Sequence, residues 1–356
     1  MDDQPKSRYT PVIAMFILMI IYILFRTATA PSIEERDMDR DFVDLKKFKM
    51  EKLLELSLPL DVPVVDDDSI MYFRAYPEKI YSMDLESNRI VNTIDVGLQI
   101  RGVNDNYLVG QLKDQIRAYN KITGELISKT RKNRNIASST NVEIYDNIAV
   151  YAAAGKIIIE AFDMNTGELL WGFDAREEHT TAHIIIDKGK VYTSNLGELL
   201  VFDAYTGKVL KKFDIGVYTP FLIDGNYIYA KGPKKVDLST GEILWSVDIG
   251  SILEVDEDGL YIIYSGFLYR LGKETGEELW KNDFGELRPF LVRTTPKYVI
   301  VSRFDDEVFI LDKDTGEKLW RFGNNTEENA NTFLVHDEIL YIFTTEGTLY
   351  SLDLSQ

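Results

Sequence analysis

Residues 312–320 read Asp-Lys-Asp-Thr-Gly-Glu-Lys-Leu-Trp, and versions of this phrase return along most of the chain. Asp163–Trp171 reads Asp-Met-Asn-Thr-Gly-Glu-Leu-Leu-Trp, and Asp237–Trp245 reads Asp-Leu-Ser-Thr-Gly-Glu-Ile-Leu-Trp. Asp203–Lys211 keeps the Asp and the Thr-Gly pair, with Gly207 in place, but ends in Lys. Gly272–Trp280 keeps Gly276 and the Trp and has lost the leading Asp. Asn120–Ser128 and Asp84–Asn92 are weaker versions, the latter with Asn88 in the Gly position. The turn positions 88, 124, 167, 207, 241, 276 and 316 are spaced about 38 residues apart on average. A period of this size fixes the architecture before any local reading does.

The phrase has a physical reading. A carboxylate at Asp163, Asp203, Asp237 or Asp312 can accept a backbone N–H two residues on and close an Asx-type turn. Gly167, Gly241 or Gly316 supplies the positive φ that the turn needs. All four Trp of the chain, at 171, 245, 280 and 320, fall four residues after the turn Gly. A bulky ring at one fixed slot in each repeat is best used for packing neighbouring repeats together. Each phrase is flanked by short runs rich in Val, Ile, Tyr and Phe, such as Lys190–Ser194, Glu198–Asp203 and Lys208–Asp214. Four such strands in about 40 residues, repeated radially, predict an all-β propeller of four-stranded antiparallel blades.

Seven turns give seven complete blades, and three further runs (332–335, 339–343, 348–352) start an eighth before the sequence stops. Leu54–Leu60, ahead of the Val62–Val65 run, is a surplus strand, expected to complete that last blade and close the ring. Eight blades are therefore expected, with seven as the alternative. The propeller is assigned to residues 54–356.

Ahead of it, residues 1–10 form a short polar tail. Val12–Phe25 is unbroken apolar sequence ended by Arg26, and residues 11–27 are read as a transmembrane signal-anchor helix. The run is short against the ~20 residues of a full span. A cleaved secretory signal is the alternative, since Ala28-Thr29-Ala30 resembles a cleavage site, although Pro31 would follow the cut. An interfacial helix is a third reading. Residues 28–53 carry charges of both signs and read as a solvated stalk, with Phe42, Leu45 and Phe48 near helical spacing. The expected disposition is a single-pass anchor with the propeller outside the cytoplasm, extracellular or periplasmic.

Composition narrows the chemistry. The 356 residues carry a net charge of −18 and no cysteine. The acidic field disfavours nucleic acid as a partner. Without cysteine there are no disulfides, thiolate metal sites or thiol nucleophile. His179 and His183 stand four apart, which on a strand means about 13 Å, so no metal site is expected from them. Asp66-Asp67-Asp68 lacks the spacing and glycine of a calcium loop, and the carboxylates of 312–317 already have a turn to make. Calcium is left open; no catalytic, cofactor-binding or metal-ligating residue is nominated.

The motif resembles the PQQ-like β-propeller repeat family over residues 54–356, in its non-catalytic, eight-bladed, BamB-like type. That type is a scaffold anchored through a lipidated cysteine, which this chain lacks. The enzymatic members are longer and use an adjacent-Cys ring and a calcium site on long insertions, so PQQ is not expected. The resemblance implies a monomeric, non-catalytic scaffold for other proteins, at a membrane or cell surface. A glycan or small molecule in the axial funnel is the alternative. Candidate contact residues lie on the loops opposite the repeated turns: Lys129, Arg131, Lys132 and Arg134 in a basic connection, and Asp305 and Asp306 in an acidic one.

Overall fold

The computed structural model describes residues 48–355 except 57, 76–78, 132–141, 154–156, 176–182, 196, 218–219, 286–288, 304–305 and 324–327. The segments 1–10 and 11–27 and most of 28–53 lie outside these residues, as do His179, Lys132, Arg134 and Asp305. Among the described residues no helix is long and apolar enough to cross a membrane.

Among the described residues every strand belongs to one of eight four-stranded sheets. Seven run in simple chain order over residues 60–95, 99–129, 142–175, 184–217, 221–246, 251–283 and 289–322, and are called blades 1 to 7. Blade 8 takes three strands from 330–353 and its fourth from Met50–Glu55. The first strand of each blade touches the first strands of both neighbours, and the series closes on itself through Leu60–Val65 and Ala330–His336. The eight first strands thus form the inner wall of a ring, and the fourth strands form its rim.

There is no single core. Eight apolar layers each draw residues from two adjacent blades. Between blades 6 and 7, for example, Tyr261, Leu268, Trp280 and Phe284 meet Val292, Val299, Val301 and Phe309. This explains the strand patterns. The second and third strands of a blade are covered on both faces, so Tyr298–Arg303 is buried throughout. Rim strands are covered on one face, so Arg89–Asp95 alternates.

The closing strand differs from expectation. It is Met50–Glu55, antiparallel to Thr348–Asp353, with Met50 opposite Leu352 and Glu55 opposite Thr348. Leu60 instead opens blade 1. Two features hid this. A rim strand is largely solvated, so Met-Glu-Lys-Leu-Leu-Glu reads like stalk. A bulge between Lys52 and Leu54 also turns Leu53 and Leu54 both onto the layer between blades 8 and 1, cancelling the strand alternation. Phe48, placed on the stalk by its spacing, packs edge-on against Tyr298 at 5.5 Å and Trp320 at 6.3 Å.

Candidate functional site

The repeated turn is held by its own first residue. Asp312 Oδ1 accepts from the backbone N–H of Asp314 at 3.0 Å and of Thr315 at 2.8 Å. The Thr315 hydroxyl donates to the same oxygen at 2.9 Å and accepts from Glu317 N–H at 3.2 Å. Gly316, at φ 75°, donates to the Asp312 carbonyl at 2.9 Å. Asp163, Asp203 and Asp237 accept from their turns in the same way. Three N–H or O–H donors, the Thr206 hydroxyl first, hold the Asp203 carboxyl below the usual range, and four, the Ser239 hydroxyl first, hold Asp237 there.

The residue four after the turn glycine reaches into the next blade. Trp171 Nε1 donates to the Ala204 carbonyl at 2.8 Å, Trp245 to Lys273 at 3.2 Å and Trp280 to Lys313 at 2.9 Å. In each case the acceptor is the second residue of the next blade's turn phrase. The copies without Trp keep the bond. Ser128 Oγ donates to Met164 at 2.6 Å, Lys211 Nζ to Leu238 at 3.1 Å, and Asn92 Nδ2 to Ile122, one residue further on, at 2.6 Å. Read as a Trp slot, the position looks degenerate. Read as a side-chain donor slot, it is kept in six successive blades. The sequence signal was available: Asn, Ser, Lys and Trp share an N–H or O–H and little else.

The sequence-nominated contact residues do not form one patch. Lys129 ends the rim strand of blade 2 and is exposed. Arg131 follows it and pairs with Glu160 of blade 3 at 2.7 Å. Glu160 is buried and also accepts from the Tyr151 hydroxyl. Asp306, at φ 64°, turns the second strand of blade 7 into the third, donates to the Arg303 carbonyl at 3.3 Å and accepts from Ala330 N–H at 2.9 Å. Both loops lie on the face opposite the repeated turns, but blades 2 and 7 stand three places apart around the ring.

Other candidates have structural partners. Asp66 is buried, where it accepts from Lys121 Nζ at 2.8 Å and from the Tyr72 hydroxyl at 3.2 Å. Its second oxygen caps the following turn through Asp68 N–H and Ile70 N–H. His183 donates to the Phe221 carbonyl at 3.0 Å, and burial holds its imidazole below its usual pKa.

The inner wall carries charge. Arg293 of blade 7 bridges to Glu254 of blade 6 at 2.8 Å. Burial, then the like charge of Arg74, lowers Arg101. Glu143, in the first strand of blade 3, has no hydrogen-bond or ion-pair partner among the described residues, and burial pushes its carboxyl up to about 7.

A family model described as outer membrane protein assembly factor BamB matches residues 78–215 and 234–356. The BamB of Kangiella koreensis is 27% identical over 229 residues, covering 60% of this chain and 52% of that protein. The chain thus spans about half the length of that curated relative. The quinoprotein glucose dehydrogenase of Escherichia coli is 32% identical over 109 residues, which cover 29% of this chain and 13% of the dehydrogenase. The crystal structure of BamB from Moraxella catarrhalis superposes with a TM-score of 0.66 at 16% identity, covering 87% of this chain and 99% of that one. At that identity the likeness concerns the fold.

Proposed function

Because this chain belongs to the BamB family of PQQ-like β-propellers, we propose that it is a membrane-tethered, extracytoplasmic protein-interaction scaffold without catalysis of its own. The observation that carries the reading is the rim. Leu126, Leu169, Leu170, Ile243, Leu244 and Leu279 are all exposed, on the fourth strands of blades 2, 3, 5 and 6. Two adjacent positions of the repeat, two and three residues after the turn glycine, place them, so they recur from blade to blade rather than as scattered contacts. Beside them, each rim strand has a hydrogen-bonding edge that no strand of its own sheet covers. Apolar side chains next to open strand edges suit recognition of other polypeptides.

The relatives' name directs the search for partners to outer membrane protein assembly. The apolar run at 12–25 supports tethering by a span where the BamB-like type uses a lipid. The test is capture of partners from cross-linked membranes by the full chain. Leu170→Lys, Leu244→Lys and Leu279→Lys combined should lose those partners, while Lys129→Glu with Arg131→Glu tests the opposite face. Unchanged capture by both variants would remove the reading.

A ligand in the axial funnel is the second reading, and Glu143 on the inner wall, without a side-chain partner among the described residues, favours it. Thermal shifts with saccharides, quinones and calcium, compared with Glu143→Gln, test it.

A further inference from the structure

The boundary between blades 4 and 5 is clasped by Lys211, and a cavity of about 500 Å³ opens beside it on the face of the repeated turns. The cause lies in the clasp. At the Trp boundaries the indole lies on the next turn's glycine: a Cβ at Gly207, Gly276 or Gly316 would come within 2.7 Å of the ring of Trp171, Trp245 or Trp280. At Gly241 the contact passes to Phe213, two residues beyond the clasp. Lys211 keeps the hydrogen bond, reaching the Leu238 carbonyl at 3.1 Å and that of Ser239 at 3.3 Å, but it does not fill the space of an indole.

The cavity has an apolar floor of Tyr192, Val201 and Leu238, all buried, with Leu210 along one side. Gly225 lines it too, and a Cβ there would meet nothing within 4 Å. Three lysines stand around it: Lys188, Lys190 and Lys211. Neither the Lys188 nor the Lys190 side chain has a hydrogen-bond or ion-pair partner among the described residues. Lys188 also sits at φ 47°, in a tight turn where blades 3, 5 and 8 place Asp146, Gly225 and Asp337. Those residue types tolerate a left-handed backbone better than lysine does, so the local conformation does not explain the lysine. Asp187 is the one acidic lining residue, which limits the site to a singly headed anion rather than a polyanion.

We propose that this inter-blade cavity binds a small amphipathic anion: one carboxylate or phosphate head held by Lys188 and Lys190, and a short hydrocarbon or aromatic body on the Tyr192–Leu238 floor. Its volume falls within the range of small-molecule sites. In a chain of net charge −18, local lysines are what would admit such a ligand. The site takes Leu210 and Lys211 from the rim strand of blade 4 but none of the six rim residues named above, and no residue of an inner-wall strand except Asp187.

Titration calorimetry of the full chain with 3-phenylpropionate, 2-phenylethyl phosphate and 3-phenylpropan-1-ol tests the proposal. Saturable one-to-one binding of the carboxylate, the phosphate or both, and none of the alcohol, is expected; comparing the two anions identifies the preferred head. Lys211→Trp installs the clasp that blades 3, 5 and 6 already use, and should weaken binding at least tenfold without lowering Tm. Lys188→Ala with Lys190→Ala, at two exposed positions, should weaken it by a similar factor and decides the matter if Lys211→Trp does not fold. The proposal is overturned if neither anion binds, if the alcohol binds equally well, or if the folded variants bind as the parent does.

Discussion

Trp280 Nε1 donates to the Lys313 carbonyl at 2.9 Å, tying the rim strand of blade 6 to the turn of blade 7. The same indole covers Gly316 and packs in the layer between the two blades. Trp280→Leu removes the donor and much of the packing together. It should destabilise the propeller by about 2–4 kcal/mol, read from urea unfolding. Trp280→Phe, which keeps a ring without the N–H, should cost less.

Two glycines separate backbone strain from packing. Gly316 and Gly225 both have positive φ, at 75° and 57°. A Cβ on Gly316 would lie 2.7 Å from the Trp280 ring, whereas one on Gly225 meets open space. Gly225→Ala should cost about 1–2 kcal/mol for the left-handed backbone alone. Gly316→Ala should cost a further ~1–3 kcal/mol for overpacking. Equal losses in the two variants would remove the packing role assigned to the clasp.

Lys121 and Asp66 form an ion pair across blades 1 and 2, with side chains 6% and 0% exposed. Asp66→Ala leaves the ammonium only the exposed carboxylate of Asp68, 3.2 Å away, and Lys121→Ala leaves the buried carboxylate with hydrogen bonds but no counter-charge. Each should cost about 3–5 kcal/mol. Asp66→Leu combined with Lys121→Met should cost less than either single change, and a double-mutant cycle measures the difference.

Glu143 makes stability depend on pH. Its carboxyl rises from an ordinary 4.5 to about 7 on folding, through burial. The folded chain therefore holds the proton more tightly than the unfolded one. The resulting stabilisation is complete below pH ~4.5 and is lost as pH rises through ~7. Glu143→Gln should be more stable than the parent by about 1–2 kcal/mol at pH 8.5, with no such gain at pH 4. Urea midpoints at the two pH values check the sign.

Much of the ring was legible in the sequence because its elements repeat. The turn chemistry of Asp312 and Gly316 recurs at a fixed period, and repetition converts weak local signals into a strong one. Features that occur once were harder to read. Met50–Glu55 has no neighbour in sequence to pair with, and its bulge disguises it. Asp66 looked like a fragment of a metal loop because its partner, Lys121, lies 55 residues away. The clasp was half legible: a Trp is conspicuous, whereas Ser128 and Lys211 share only its donor. The cavity beside Lys211 follows from that substitution, but nothing local in the sequence says that Phe213 takes over the glycine contact.

The pairing of Met50–Glu55 with Thr348–Asp353 also imposes an order of events. During synthesis the strand that completes the last blade emerges first and must wait about 300 residues for its partner. Until then Met50–Glu55 has no sheet to join, and blades 1 and 7 each present an uncovered apolar face to solvent. An interrupted chain cannot latch, so it advertises its incompleteness to proteases and chaperones, and a finished one conceals both faces in a single step.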